Sequence, residues 1–247
     1  MLPRLLRRTF GLGGALVAVA GCAGALLAAA GCTGTETGNP PLDGTMSVNA
    51  HSSDSASVAL ISSEGGAVVD ELWLGLGDVL VEPCEGDALV VPEVGVDEHA
   101  SQVATQHPFL AARTAICRVR VRFVRASVGP EAIRNRSTLV RGRDADGRAF
   151  EIALALDTEV ELPAAVDLDE THPALLLAVD VARWVGNLDL ASGTADVDGV
   201  VRIDETNNPT LRDAFLGNVA EGFELYRDDD ADGVADDGEP FLGRGVP

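Results

Sequence analysis

The sequence predicts a mainly β fold, a β-sandwich or barrel-like domain with one or two short helices, preceded by a disordered leader and tether. Three observations carry that expectation. Apolar or alternating segments of strand length are bounded by Gly and Pro, turn signals recur about every ten residues, and few stretches show a helical period. At 247 residues and 46% apolar, the chain is long enough to bury one substantial core, although length alone leaves room for two small ones.

Residues 1–31 read as a lipoprotein signal peptide. Arg4, Arg7 and Arg8 precede an apolar run of small residues from Phe10 to Ala30 that contains no acid, which is the composition of an export signal. The run could span a bilayer uncleaved, but AlaGlyCys closes it twice, and that argues for cleavage. Small residues before Cys resemble the lipobox of bacterial lipoproteins, whose Cys is acylated and becomes the new N-terminus. ValAlaGlyCys, ending at Cys22, has the branched residue the motif prefers. AlaAlaGlyCys, ending at Cys32, stands where the apolar run gives way to the polar CTGTETGNPP, so Cys32 is the expected lipidation site and Cys22 the alternative.

Palmitate-type chains contribute about 0.8 kcal/mol per buried methylene, so a multiply acylated Cys anchors the protein to the cell membrane or outer membrane without spanning it. Arg7 and Arg8 before ThrPheGly also resemble a twin-arginine signal, though an ordinary basic leader explains them more simply.

Acidic residues outnumber basic ones by 39 to 18, giving a formal charge of −21. Such a field repels nucleic-acid phosphates, so nucleic acid is not expected as a partner. Aromatic residues make up 4% of the chain, too few to suggest a sugar-stacking groove.

From 32 to 57 the chain is rich in Gly, Ser, Thr, Pro and Asn and reads as a flexible tether. The single β-rich domain is then expected over 58–247. Its strands are read at 56–62, 69–81 and 88–91, and most clearly at 117–125, where Arg118, Arg120 and Arg122 alternate with Val119, Val121 and Phe123. Asp157, Glu159 and Glu161 repeat that spacing, which predicts a charge ladder between paired strands in preference to an anion-reading row of Arg.

AspGly at 146–147 lies between strand-like flanks and predicts a hairpin turn, not a metal site. Residues 172–185 form an apolar stretch that fits a strand ending in a helical turn, although periodicity does not separate strand from helix there, and 193–204 read as strand and turn. Asn208 and Pro209 open a helix that carries Leu211, Phe215 and Val219 on one face.

With Cys22 and Cys32 assigned to leader and anchor, Cys84 and Cys117 remain as an even pair in an oxidising compartment, which predicts a disulfide; two buried thiols are the alternative. His51, His99, His107 and His172 lack ligand spacing and there is no CxxC, so zinc is poorly supported. The leader with CTGTETGNPP, the strand VDELWLGLGDVLVEP (69–83) and LLLAVDVARWV (175–185) are together similar to bacterial surface lipoproteins that carry a β-rich domain of unknown function. The resemblance implies the architecture and brings no catalytic residues.

The segment 228–239 fits the register of an EF-hand-type calcium loop. With Asp228 at position 1, Asp230 falls at 3, Asp232 at 5, Gly233 at 6, Val234 at 7, Asp236 at 9 and Glu239 at 12. Calcium takes six to eight oxygens, so the expected ligands are the carboxylates of Asp228, Asp230 and Asp232, the Val234 carbonyl, Asp236 directly or through water, and both oxygens of Glu239. Asp229 and Asp237 fall outside the ligand positions.

Ala235 replaces the usual branched residue at position 8, no second full loop is present, and Pro240 leaves little room for an exit helix. A lone structural calcium loop is therefore expected in place of a signalling switch.

No GxSxG, HExxH or Cys/His arrangement appears, and Asp97 with Glu98 cannot be told from solvated loop acids, so no catalysis is expected. The reading is an exported envelope lipoprotein that binds one structural Ca2+ and a protein or glycan partner in the envelope. A purely structural envelope lipoprotein is the alternative, and a hydrolase a more distant one.

Overall fold

A computed structural model describes residues 42–246 apart from 52–60, 63–65, 93–94, 99–104, 112–114, 128, 130 and 237. The leader 1–31 and the candidate anchors Cys22 and Cys32 lie outside the described residues. The strands are β1 (Leu42–His51), β2 (Ile61–Ser62), β3 (Val68–Pro83), β4 (Leu89–Val91), β5 (Gly95–Glu98), β6 (Thr105–Ala111), β7 (Ala115–Phe123), β8 (Thr138–Arg143), β9 (Ala149–Leu154), β10 (Glu159–Asp167), β11 (Ala174–Asp180), β12 (Val201–Ile203), β13 (Phe223–Asp228) and β14 (Phe241–Arg244). Two α-helices, α1 (Val181–Gly186) and α2 (Pro209–Val219), join them.

One sheet runs in the order β14-β13-β11-β1-β6, with β1 and β11 parallel. The other runs β10-β7-β3-β8-β9-β12, with β2, β4 and β5 also paired to β3. The fold is mainly β, as the turn spacing and alternation predict. Period two selects the inward faces: Val119, Val121 and Phe123 of β7, and Val160, Leu162, Ala164 and Val166 of β10, all sit in one core with Leu175, Leu177 and Val179 of β11.

Phe123 of one sheet meets Phe223 of the other edge to face at 5.7 Å. One margin is closed as well. Glu161 and Val246 exchange backbone hydrogen bonds, and a Cβ on Gly243 would lie 2.0 Å from the Pro163 carbonyl, so the last strand sits hard against β10.

The tether expected over 32–57 needs correction in its middle, because Leu42–His51 is a ten-residue strand between β11 and β6. Its inward positions are Leu42, Met46, Val48 and Ala50, with Gly44 yielding its place to the Phe109 ring. Thr45, Ser47 and Asn49 take the opposite face, and these polar residues give the segment its linker-like composition.

Cys84 and Cys117 form the expected disulfide, joining the end of β3 to β7 with Cα atoms 4.8 Å apart. The bridge closes a separation of 33 residues, so reduction is expected to cost about 3 to 4 kcal/mol. Urea unfolding of the Cys84→Ser, Cys117→Ser double variant measures this, and an unchanged midpoint would contradict it.

The charge ladder forms as a diagonal. Arg118 Nη1 meets Glu161 at 2.9 Å and Arg120 Nη1 meets Glu159 at 3.1 Å, while Glu82 of β3 pairs with both arginines from the other side. Asp157 stands before β10 and outside the ladder. The strand-then-helix reading of 172–185 also holds. All seven residues of β11 are buried, and the Asp180 carboxylate accepts from the Arg183 amide to start α1.

α2 covers the expected residues, but Asn208 acts differently from the expected cap. Its φ is 50°, and its side chain donates to the Arg202 and Thr194 carbonyls and accepts from the Thr194 amide. The entry to α2 also depends on Asp204. Burial works against its charge, yet donors from Asn207 and Thr206 prevail and hold it at about 2. A folded value below the ordinary 3.8 means that this contribution is present above pH 3.8 and is lost as pH falls through about 2. Acid unfolding of Asp204→Asn is expected to be flatter than wild type across that window, and identical curves would contradict it.

Candidate metal centre

β13 ends at Asp228, which is 1% exposed, and after the acidic segment β14 returns antiparallel to β13. The loop thus joins two strands. Its entering segment Phe223–Asp228 is a strand, and its exit is a strand where an EF-hand has a helix.

Two distant side chains hold the loop. Asn49 Nδ2 of β1 donates to the Gly233 carbonyl at 2.9 Å, and Gln106 Nε2 of β6 donates to the Ala231 carbonyl at 2.7 Å. Both come from the sheet face opposite the inward Met46 and Val48. The polar residues that made β1 read as linker therefore include one that anchors the loop.

Oxygens of Asp228, Asp230 and Asp232 lie within 4.8 Å of one another. Asp228 uses Oδ1 to accept from the Asp232 amide at 3.2 Å and Oδ2 to accept from the Gly233 amide at 3.0 Å. Asp232 accepts from the Val234 amide at 2.8 Å. Gly233 has φ 76°, the left-handed turn expected at position 6.

Glu239 reaches back to the loop entry, with Oε1 accepting from the Asp229 amide and Oε2 from the Asp236 amide, both at 3.1 Å. The structure therefore brings Asp228, Asp230 and Asp232 together, while Glu239 lies outside this set with both oxygens accepting from loop amides. Asp236 is outside the convergent set. Asp229 turns to Arg227, which bonds it at 3.0 Å. Asp237 lies outside the described residues.

Among the described residues, Asp228, Asp230 and Asp232 are anions without a counter-charge, whereas Asp229 has Arg227. Burial pushes Asp228 above the usual carboxylate range, against the donors of Gly233 and Ala231, and the charges of Asp232 and Asp230 push the same way. Glu239 rises to about 6, through burial first and with the charges of Asp228 and Asp230 adding to it.

Two other DxDG turns in the chain provide an internal comparison. Asp144 Oδ1 accepts from the Asp146 and Arg148 amides and Oδ2 from Arg148 Nε at 3.0 Å. Asp196 Oδ1 accepts from the Asp198 and Val200 amides, and its other oxygen from Arg202 Nε. Gly147 and Gly199 both have φ 80°, close to Gly233.

In these two turns a guanidinium balances the leading Asp, and both carboxylates titrate below their ordinary value: Asp144 because its donors and Arg148 outweigh burial, Asp196 through the Val200 amide and Arg202. The first bears out 144–147 as a turn. The third DxDG is 230–233, and Asp228, the residue raised by burial, lies two positions before it. No basic side chain among the described residues comes within ion-pair distance of Asp228, Asp230 or Asp232, since the neighbouring Arg227 is held by Asp229. The third turn differs in its backbone, with Ala231 at φ 58° and the Gly233 amide bonded to the Asp228 carboxylate, and among the described residues it carries the cluster of three anions.

No family model, curated protein or solved structure matches the chain. The chemistry of the loop is therefore the ground for a functional reading. No helix among the described residues is long and apolar enough to cross a membrane. Sequence reasoning missed Asn49 and Gln106, and no local signal identifies them, because their role depends on which strands neighbour the loop. The missing Arg was readable: Arg148 and Arg202 follow their turns closely, whereas no Arg follows Asp232 before Arg244.

Proposed function

We propose that the chain is an exported, lipid-anchored protein of the bacterial cell envelope, whose non-catalytic β domain binds one structural calcium ion through 228–239 and engages an envelope or extracellular protein or glycan. The observation that carries the metal reading is the convergence of Asp228, Asp230 and Asp232, with no basic side chain within ion-pair distance of them among the described residues. An all-oxygen donor set suits a hard cation, and calcium tolerates the irregular geometry that a loop provides.

Asp228, Asp230 and Asp232 would supply carboxylates, Val234 its carbonyl, Asp236 a direct or water-mediated contact, and Glu239 its carboxylate. The ion would fix a loop already tied to β1 and β6, and so order one side of the domain. The export, anchor and partner readings draw support from the leader, the residues around Cys32, and the lack of any catalytic arrangement in the sequence.

Calorimetric titration of calcium into the full chain tests the metal. One ion per chain is expected, with a Kd on the order of 10⁻⁴ to 10⁻³ M, the range of extracellular modules. Glu239→Gln is expected to weaken it at least tenfold, while Asp229→Asn leaves it unchanged. Absence of binding, or equal losses in both variants, would overturn the reading. Mass spectrometry of the membrane-extracted protein tests the anchor, with acyl mass expected on Cys32; acylation of Cys22 would move it.

A further inference from the structure

We infer that a second site, an arginine-lined pocket beside the β7–β8 connection, binds a small ligand through its carboxylate or phosphate group. The pocket is a solvent-open concavity of about 550 Å³ lined by Arg125, Arg134, Asn135, Arg136, Ala155 and Glu205. That volume is within the range, on the order of 300 to 1,000 Å³, of sites that take small molecules.

The pairing of arginine across the molecule is what singles the pocket out. The chain has 39 acidic residues against 18 basic ones, so a guanidinium has no shortage of carboxylates to meet. Nine of the fourteen arginines among the described residues do lie within 4.0 Å of one. Among the described residues five have none: Arg122 and Arg143 stand apart, whereas Arg125, Arg134 and Arg136 line the same concavity. Arg136 Nη1 donates to the Ala132 carbonyl at 3.0 Å and Arg125 Nη1 to the Asn135 carbonyl at 3.4 Å, which orients two guanidinia and leaves most of their N–H groups free. Glu205, the one acid in the lining, has Oε1 accepting from the Ala155 amide.

The backbone that presents these residues is well tied. Arg136 and Ala126 are joined by Ala126 N–H to Arg136 O, Asn135 N–H reaches Ala126 O, and Asn135 has φ 62°. Beneath them Ala126, Ile133, Leu139 and Ala153 form a small apolar cluster of their own, separate from the main core. Ser137, next in the chain, is fully buried and accepts from the Leu156 amide at 2.6 Å. The amides of Arg134, Asn135, Arg136 and Ala155 are engaged, and recognition falls to the guanidinia. Planar forks of this kind pair with carboxylate or phosphate oxygens two at a time.

The charge of the whole chain limits the ligand's size. A field of −21 repels a long polyanion, so three local cations favour a small one.

The test is titration of the full chain, without calcium and at low salt, with inorganic phosphate and separately with succinate; the stronger of the two identifies the preferred oxyanion. Saturable binding of at least one probe is expected. Arg134→Gln with Arg136→Gln should weaken it at least tenfold, Arg122→Gln with Arg143→Gln, exposed and outside the pocket, should change it less than twofold, and Glu205→Gln should tighten it. No saturation by either probe, equal losses in the two double variants, or retention of long-chain polyphosphate alone would each overturn the proposal.

Discussion

Replacing Trp184 by Ala is expected to cost about 3 to 5 kcal/mol, more than any other substitution considered for this domain. Trp184 is fully buried on α1 and touches Phe215 of α2 at 5.6 Å and Phe223 of β13 at 5.7 Å, both edge to face. Its Nε1 donates to the Val219 carbonyl at 3.0 Å near the end of α2, a group that would be left unpaired by the truncation. A Cβ on Gly222 would lie 2.0 Å from the indole, so the backbone is fitted closely to this ring.

One side chain thus joins both helices to the sheet that ends in the acidic loop. At roughly 2 to 4 °C per kcal/mol for a domain of this size, the melting temperature should fall by roughly 6 to 20 °C. Trp73 is the control, being only partly buried and bonded to Glu71 at 2.6 Å. A Trp73→Ala loss as large as that of Trp184→Ala would contradict the placement of the core.

Asp228→Asn is expected to remove the stabilisation by calcium while changing the calcium-free domain little. In the absence of an ion, burial and the charges of Asp232 and Asp230 disfavour the Asp228 anion, so neutralising it relieves a cost. Against this, Asn can accept from only one of the Asp232 and Gly233 amides that Asp228 now satisfies. These two effects oppose each other, whereas loss of the ion has nothing to offset it. With a Kd of about 10⁻⁴ to 10⁻³ M, about 10 mM calcium stabilises the native state by about 1.4 to 2.7 kcal/mol, and the variant should forfeit nearly all of that. Chemical denaturation with and without calcium measures the difference.

Strands were legible where one face is apolar and the other charged. In β7 and β10 that alternation identified the strands and their pairing, and the match of Arg to Glu spacing foretold the ladder, though not its diagonal offset or the part played by Glu82. β11 was legible by its unbroken apolar run, and Asp180 marks where strand becomes helix.

β1 was hidden because the face opposite its apolar one carries Thr45, Ser47 and Asn49, of which Asn49 holds the loop, and together they look like linker composition. β14 was hidden because it has only four residues and no alternation of burial. The acidic loop was legible by register, including the left-handed Gly233. Its anchors, Asn49 and Gln106, lie 184 and 125 residues away from the carbonyls they hold, and only the sheet order brings them near. The arginine pocket left no trace in the sequence either, since whether a guanidinium is paired depends on neighbours that the chain order does not reveal.

Whether 228–239 holds a structural calcium ion is tested most directly by the melting temperature of the full chain with and without about 10 mM calcium. A rise of roughly 3 to 10 °C that disappears in Asp228→Asn and persists in Asp229→Asn is the predicted result. A melting temperature indifferent to calcium, or a rise of the same size in Asp228→Asn, would contradict the calcium reading and leave the segment a solvated acidic turn.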